Sequence, residues 1–207
     1  MTDRDAIGVY SDYVCPFCYL GRQSLAQYQA GREEPLRIEW HPFDLRADQR
    51  NAAGEVVREA DGKDESYYEQ ARENVRRLQD EYDVEMSLEL SREVDSLNAQ
   101  LASYHLQRTR PYETWLAFDE AVLEALWTEE RDIGDPDVLA DIAGEAGVDP
   151  EVVRAALDDE DLRGDLQGEF EAARRRGVTG VPTFTYGDHA ARGAVPPEHL
   201  RRLVEGA

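Results

Sequence analysis

The two cysteines of the chain, Cys15 and Cys18, have the residue type and the spacing for redox chemistry. They are separated by two residues, follow a short β-like run from Ile7 to Tyr10, and precede a helix-like segment. Two intervening residues wound into a first helical turn bring the sulfurs close enough to form a disulfide with little backbone movement. The spacing therefore predicts thiol–disulfide chemistry.

Pro16 predicts that the helix begins directly after Cys15, because proline suits the first helical position, where a backbone N–H would have no partner. Cys15 would then be the N-cap, with free N–H groups and the positive end of the helix dipole directed at its sulfur. This arrangement favours a thiolate at Cys15. Cys18 would lie one turn further into the helix and be more buried, as suits a resolving thiol.

A structural zinc site is the main alternative for a Cys-x-x-Cys pair. Zinc requires four protein ligands, or three and a water. The chain has no second cysteine pair, and its histidines, His41, His105, His189 and His199, are scattered without ligand spacing. The sequence therefore predicts no metal and no other cofactor. Two inert structural cysteines, the third interpretation, would need neither this spacing nor a helix-starting proline.

The bulk composition limits the possible partners. The 207 residues suffice for one domain with an insertion or for two small domains. The chain has 45 Asp and Glu residues against 23 Lys and Arg residues, a formal net charge of −22. Nucleic acid and anionic membranes both require a basic face, so neither is expected as a partner. With no signal peptide, no apolar run of spanning length and two cysteines, the sequence predicts a cytoplasmic protein.

The basic residues suggest adaptation to salt. Lys63 is the only lysine among the 23 basic residues. An acidic surface almost without lysine resembles that of proteins from salt-loving archaea, in which molar salt screens the self-repulsion of the surface. An ordinary acidic protein is the alternative.

Hydrophobic periodicity predicts a β-α-β unit over residues 7–43. Leu36, Ile38 and Trp40 alternate with polar residues, as in a half-buried strand. Pro42 ends this strand. A β-α-β unit has parallel strands and a right-handed crossover.

The middle of the chain, from about residue 45 to about 175, is predicted to be helical. Ser66, Asp135 and Asp149 are placed as helix-starting caps, the last two with proline in the next position. The aromatic and leucine stripes of these helices favour core packing. The segments 177–186 and 190–194 return to β character, and Pro196-Pro197 opens a final helix.

With these elements in place, three motifs make the chain resemble the DsbA-like branch of the thioredoxin superfamily, and within it the FrnE-type subfamily. The resemblance covers essentially the whole chain. The motifs occur in the family's order and are Ser11-Asp12…Cys15-Pro16-Phe17-Cys18-Tyr19…Gly21, Trp40-His41-Pro42-Phe43-Asp44-Leu45, and Gly177-Val178…Gly180-Val181-Pro182-Thr183-Phe184.

The resemblance implies an α/β thioredoxin-like fold with a large inserted α-helical domain. Residues 1–45 and 162–207 would form a discontinuous thioredoxin-like domain. Residues 46–161 would form the helical insertion domain.

The resemblance also implies roles for individual residues. Cys15 would be the nucleophile and Cys18 the resolving thiol. Pro182 would be a cis-proline facing the motif, although a trans proline opening a strand is the alternative. A cis-proline would turn the Val181 backbone toward the sulfurs, so that an extended substrate could pair with it.

Four further residues complete the predicted site. Pro16 and Phe17, between the cysteines, are assigned to substrate binding. Asp12 and His41 are candidates for tuning or relaying the proton, although each residue type is more often found in a surface or capping role.

The function implied is a protein-disulfide oxidoreductase that works through a mixed disulfide, without a cofactor, on protein or small-molecule disulfides and thiols. A monomer and a homodimer both remain open. One alternative is a thiol-dependent isomerase or transferase, resembling 2-hydroxychromene-2-carboxylate isomerases and kappa-class glutathione transferases. These enzymes usually lack the second cysteine, so Cys18 favours dithiol chemistry. A non-catalytic holdase chaperone is the other alternative.

Overall fold

The structure is a computed structural model that describes residues 5–51, 54, 56–57, 65–88 and 94–206. The described residues form one four-stranded sheet, eight α-helices and a short 3-10 helix. In chain order the elements are β1 (Ala6–Ser11), α1 (Pro16–Ala30), β2 (Arg37–Pro42), the 3-10 helix (Ala47–Gln49), α2 (Glu65–Tyr82), α3 (Leu97–Thr109), α4 (Tyr112–Trp127), α5 (Pro136–Glu145), α6 (Pro150–Leu157), α7 (Glu160–Arg175), β3 (Thr183–Tyr186), β4 (His189–Arg192) and α8 (Pro197–Glu205).

The sheet has the strand order β2-β1-β3-β4. β1 and β2 are parallel, as the β-α-β pattern predicts, and β3 is antiparallel to both β1 and β4. All six residues of β1 are buried, as suits a central strand. β2 buries Ile38 and Trp40 and exposes Arg37 and Glu39, so the predicted alternation is confirmed. This sheet with its helices is a thioredoxin-like α/β fold, as the resemblance implies.

Helix α1 joins the cysteine motif to the sheet and to the helical region. It packs against α8, α2 and α4. The predicted caps of α5 and α6 are confirmed, since Asp135 accepts a hydrogen bond from the Asp137 N–H at 2.8 Å and Asp149 accepts one from the Glu151 N–H at 3.0 Å. The predicted cap of α2 is wrong, because Ser66 lies inside the helix, which begins no later than Glu65.

The largest buried cluster among the described residues draws on the sheet, on α1 and on the helices from α3 to α8. Ile7, Val9 and Phe184 of the sheet belong to the same cluster as Trp115 and Phe118 of α4. The predicted stripe on α4 is therefore core, as its periodicity indicates. The division at residues 45 and 162 stays a prediction, and α7, which crosses the second boundary, begins at Glu160.

None of the helices described is both long enough and apolar enough to cross a membrane.

Candidate dithiol active site

The structure places Cys15 at the N-cap of α1, with Pro16 as the first helical residue, as the sequence predicts. The Cys15 carbonyl accepts hydrogen bonds from the N–H groups of Cys18 at 2.9 Å and Tyr19 at 3.3 Å, which closes the first turn. Both cysteines are free thiols. Both are buried, with Cys15 3% exposed and Cys18 1% exposed.

The loop before β3 covers Cys15. The Cys15 thiol donates a hydrogen bond to the Val181 carbonyl, with an Sγ to O distance of 3.6 Å. The Val181–Pro182 peptide bond is cis. The Pro182 carbonyl accepts a hydrogen bond from the Gly193 N–H at 2.8 Å, which ties this loop to the end of β4. The structure thus brings together the cysteine motif and the Val181–Pro182 segment, which the sequence separates by more than 160 residues.

Gly21 allows the loop and helix α1 to approach one another, a role that the sequence analysis did not assign. A Cβ atom at this position would lie 3.1 Å from the Pro182 Cγ and 3.1 Å from the Phe184 Cζ. Both distances are tighter than ordinary van der Waals contact. A larger residue here would move Pro182 relative to the sulfurs.

Cys18 is a poor acid in this environment. Burial raises the pKa of its thiol well above the ordinary value, and the hydrogen bond and the charge of Cys15 raise it further. The Asp12 backbone partly offsets these effects, while the Asp12 carboxylate adds to them. Cys18 is therefore a protonated, shielded thiol at neutral pH.

Asp12 lies inside the site and is fully buried. Its Oδ1 accepts hydrogen bonds from the Ser96 hydroxyl at 2.5 Å and the Val14 N–H at 3.2 Å, and its Oδ2 accepts one from the Leu45 N–H at 2.8 Å. Burial outweighs these bonds and raises the pKa of Asp12 to about 6. The carboxyl group can therefore exchange a proton near neutral pH.

His41 lies on β2 and contacts Tyr10 of β1. It pairs with Tyr10 across β1 and β2, and its ring stacks on the Tyr10 ring with the centroids 4.5 Å apart. Burial lowers the pKa of His41 to about 4, with a further contribution from the charge of Arg176. His41 is therefore neutral over the range in which thiols titrate.

Phe17 brings the helical region to the site. It is half-buried and packs against a cluster that joins Leu20 of α1 to Val75, Leu78 and Tyr82 of α2. The Tyr82 hydroxyl donates to the Ala194 carbonyl at 2.6 Å, just beyond β4. Val75, Leu78 and Tyr82 are spaced to lie on one face of α2. This spacing could have predicted that the face is buried, but not that it packs against α1.

A buried ionic cluster lies beneath the motif and was missed by the sequence analysis. Asp119 of α4 accepts hydrogen bonds from the Tyr13 hydroxyl at 2.7 Å and from Arg22 Nη1 at 2.6 Å. The side chains of Arg22 and Asp119 are 6% and 1% exposed. The sequence holds one sign of this cluster, which is that Asp119 lies among the apolar positions of α4, between Phe118 and Val122.

The described residues contain no group of three or more His, Cys, Asp or Glu side chains that could hold a metal ion.

The pH dependence of stability should reveal the buried Asp12 carboxyl group. Its pKa is raised in the folded state, so folding is favoured while Asp12 is protonated and loses that contribution as the pH rises from about 4 to about 6. The rise from 3.8 corresponds to about 3 kcal/mol in total. Asp12→Asn should remove this fall, as measured by urea unfolding across that pH range.

Ser96→Ala is the matched control, because it removes one hydrogen bond from Asp12 but keeps the carboxyl group. That variant should retain the fall in stability with rising pH. The assignment fails if the difference in unfolding free energy between wild type and Asp12→Asn stays constant from about pH 4 to pH 7.

A dithiol at the N-terminus of a helix, facing the loop before an antiparallel strand of this sheet, defines a thioredoxin-like protein. The model of the DSBA-like thioredoxin domain matches residues 6–205. The chain therefore belongs to the DSBA-like thioredoxin family.

Three individual comparisons each cover nearly the whole chain. The uncharacterized protein YwbO of Bacillus subtilis is 27% identical over 200 residues, which cover 96% of this chain and 94% of YwbO. The crystal structure of a probable DsbA oxidoreductase, SCO1869 of Streptomyces coelicolor, matches with a TM-score of 0.72 at 21% identity, over 97% of this chain and 90% of that one. A structure of 2-hydroxychromene-2-carboxylate isomerase matches with a TM-score of 0.76 at 20% identity, over 97% and 93%. At these identities the two structures support the fold alone.

Proposed function

We propose that the protein is a thiol–disulfide oxidoreductase that uses Cys15 and Cys18 through a mixed-disulfide intermediate. The observation that carries the proposal is the geometry at the start of α1, where Cys15 is the N-cap, Cys18 lies one turn inside, and the Val181 carbonyl is 3.6 Å from the Cys15 sulfur. Substituting the two cysteines separately tests it, because an attacking thiol and a resolving thiol fail in different ways.

In the reducing direction, the Cys15 thiolate attacks one sulfur of a substrate disulfide. An S–S bond forms between Cys15 and that sulfur, and the other substrate sulfur leaves as a thiolate. The Cys18 thiolate then attacks Cys15, forms the internal disulfide and releases the second substrate thiolate. Two electrons pass from the dithiol to the substrate, and the reverse sequence oxidises a substrate dithiol.

Asp12 is proposed to take the proton from Cys18 before the second step. Cys18 must ionise to attack, although burial raises the pKa of its thiol. Asp12, with a pKa of about 6, is the titratable carboxyl group that acts on it. If the Asp12 carboxylate accepts the Cys18 proton, that proton does not have to reach bulk solvent before the thiolate attacks.

The Val181 backbone and the side chains of Pro16, Phe17 and Pro182 are proposed as the substrate-binding surface. The Val181 carbonyl lies 3.6 Å from the Cys15 sulfur, and an extended substrate segment could pair with the Val181 backbone as an added strand. His41, which stacks on Tyr10, stays a candidate for tuning or relaying the proton. Disulfides and thiols of proteins or small molecules are the proposed substrates, in the cytoplasm.

The FrnE-type subfamily is proposed because the chain carries all three of its motifs in order, and the Leu45 N–H at the end of the second donates to Asp12 in the first. The isomerase or transferase alternative shares the fold, but its chemistry does not require a second cysteine directly behind the first. A holdase would require neither cysteine.

We further propose that the protein is adapted to high salt. Of the acidic residues that the structure describes, only Asp12, Asp44 and Asp119 are buried, so the negative charge is carried almost entirely by the surface. With a net charge of −22, self-repulsion destabilises the folded chain until salt screens it.

The melting temperature should therefore rise steeply between low and molar KCl, as followed by circular dichroism. An uncharged solute such as sucrose at matched osmolarity is the control, because it stabilises by exclusion rather than by screening. A melting temperature that is flat across the KCl series would contradict the adaptation.

A further inference from the structure

Strand β4 leaves one edge of the described sheet unpaired. It is the outermost strand and pairs with β3 on its other side only. Tyr186 and His189 close the hairpin through a two-residue turn, so the alternation of an antiparallel pair directs the backbone groups of Ala190 and Arg192 to the free edge. A free edge is a template for another strand, and the small side chains of Ala190 and Ala191 leave it accessible.

A groove of about 510 Å³ runs between this edge and α8. Val195 and Leu203, one half-buried and the other buried, give it an apolar floor. The lining residues also include two histidines and two arginines that are exposed, namely His189, Arg192, His199 and Arg202.

The lining of the groove is basic, although the chain as a whole is acidic. Acidic residues outnumber basic ones by 45 to 23 in the sequence, yet no Asp or Glu lines the groove among the residues described. Asp188, Glu198 and Glu205 are sequence neighbours of lining residues but are not part of the lining. An anionic ligand would be attracted here and repelled by most of the remaining surface.

The groove begins next to the candidate active site. Arg192 pairs with Thr183, the residue after Pro182, and the adjacent Gly193 N–H donates to the Pro182 carbonyl at 2.8 Å. A segment bound along β4 would therefore lie close to the loop that covers Cys15. This proximity connects the groove to substrate recognition.

We infer that the groove between β4 and α8 docks an extended, acidic polypeptide segment of a substrate protein, which adds to the free edge of β4 with its carboxylates on the α8 side of the sheet, toward Arg202. The inference rests on the proposed function and specifies its substrates as acidic proteins. Backbone pairing provides the binding mode, and the basic lining provides the charge preference. A second copy of this chain fits less well, since a symmetric β4–β4 pairing would bring identical cationic side chains together.

Binding is tested in the Cys15→Ser/Cys18→Ser protein with two fluorescein-labelled octapeptides, one alternating glutamate with valine and the other alternating lysine with valine. Fluorescence anisotropy is measured at the lowest KCl concentration at which circular dichroism shows a folded protein. The glutamate peptide should bind more tightly than the lysine peptide by tenfold or more, and its affinity should fall as KCl rises.

Two variants locate the binding. Arg202→Glu should weaken binding of the glutamate peptide by about tenfold. Arg201→Glu makes an equal charge change at an exposed position of α8 outside the groove, and it should change the affinity for this peptide by less than about twofold. Ala190→Pro removes an edge N–H without removing a bond to β3 and should also weaken binding, while Ala190→Ser should not.

The inference is overturned if neither peptide binds, if both bind equally, or if Arg201→Glu and Arg202→Glu have the same effect. It is also overturned if sedimentation shows a dimer that Ala190→Pro dissociates, because a second copy would then cover the edge. The peptides contain no thiol, so their binding is measured independently of cysteine activity. Failure of the docking surface is thereby distinguished from failure of the proposed oxidoreductase function.

Discussion

Cys15→Ser should abolish disulfide exchange, and Cys18→Ser should yield a protein that captures its substrates but does not release them. Without Cys15 no thiol stands at the N-cap of α1, from which the proposed attack on a substrate disulfide begins. Without Cys18 the mixed disulfide on Cys15 has no internal thiol to resolve it. Turnover of a small disulfide substrate measures the first effect, and mass spectrometry of covalent adducts measures the second.

The order of alkylation provides an independent check on the same assignment. Burial raises the pKa of Cys18 well above its ordinary value, so iodoacetamide at neutral pH should label Cys15 first in the reduced protein. Preferential labelling of Cys18, or disulfide turnover by Cys15→Ser, would show that the roles are reversed. The Cys15→Ser/Cys18→Ser protein is the control for adducts formed elsewhere.

One outcome would favour a different enzyme. If Cys18→Ser keeps full turnover when a small thiol is supplied, the second cysteine has no part in the chemistry. The isomerase or transferase alternative, with a thiol as co-reactant, would then explain the site better than dithiol exchange.

The local architecture of the site could be predicted because it follows from neighbouring residues. Cys15 as the N-cap requires only Pro16 after it, and the parallel pairing of β1 with β2 requires only two strands around one helix. The caps Asp135 and Asp149 are likewise local. Ser66 failed as a cap because a capping box can also occur inside a helix, where the serine is one more helical residue.

The interactions beneath the site could not be predicted, because they join residues far apart in the chain. Tyr13 meets Asp119 across 106 positions, and Arg22 meets it across 97. Periodicity shows which face of a helix is buried but not which residue of another helix it meets. His41 illustrates the same limit, since its strand was predicted but its stacking on Tyr10 depends on the register of two strands.

The buried cluster around Asp119 connects the cysteine motif to helix α4. Asp119 binds the hydroxyl of Tyr13, two residues before Cys15, and the guanidinium of Arg22, four residues after Cys18. Trp127 of the same helix donates through its Nε1 to the Tyr13 carbonyl at 2.9 Å. The helix thus holds the chain just before Cys15 through two hydrogen bonds to Tyr13.

Asp119→Ala should therefore lower the free energy of unfolding by about 3–5 kcal/mol, because it leaves the Arg22 charge buried without its partner. Arg22→Met/Asp119→Leu should recover most of the loss, since well-packed apolar side chains can replace a buried ion pair at little cost. Urea unfolding at one fixed KCl concentration measures both variants. Glu171→Ala is the matched control, because it breaks an exposed ion pair with Arg175 and should cost less than about 1 kcal/mol.

The same variants separate a structural role from a positioning role for this cluster. If the cluster positions Tyr13 and the motif, the double variant should regain stability but still exchange disulfides more slowly than wild type, because the Tyr13 hydroxyl has lost its acceptor on α4. Full recovery of both properties would restrict the cluster to stability. An Asp119→Ala loss no greater than that of Glu171→Ala would contradict the buried ion pair itself.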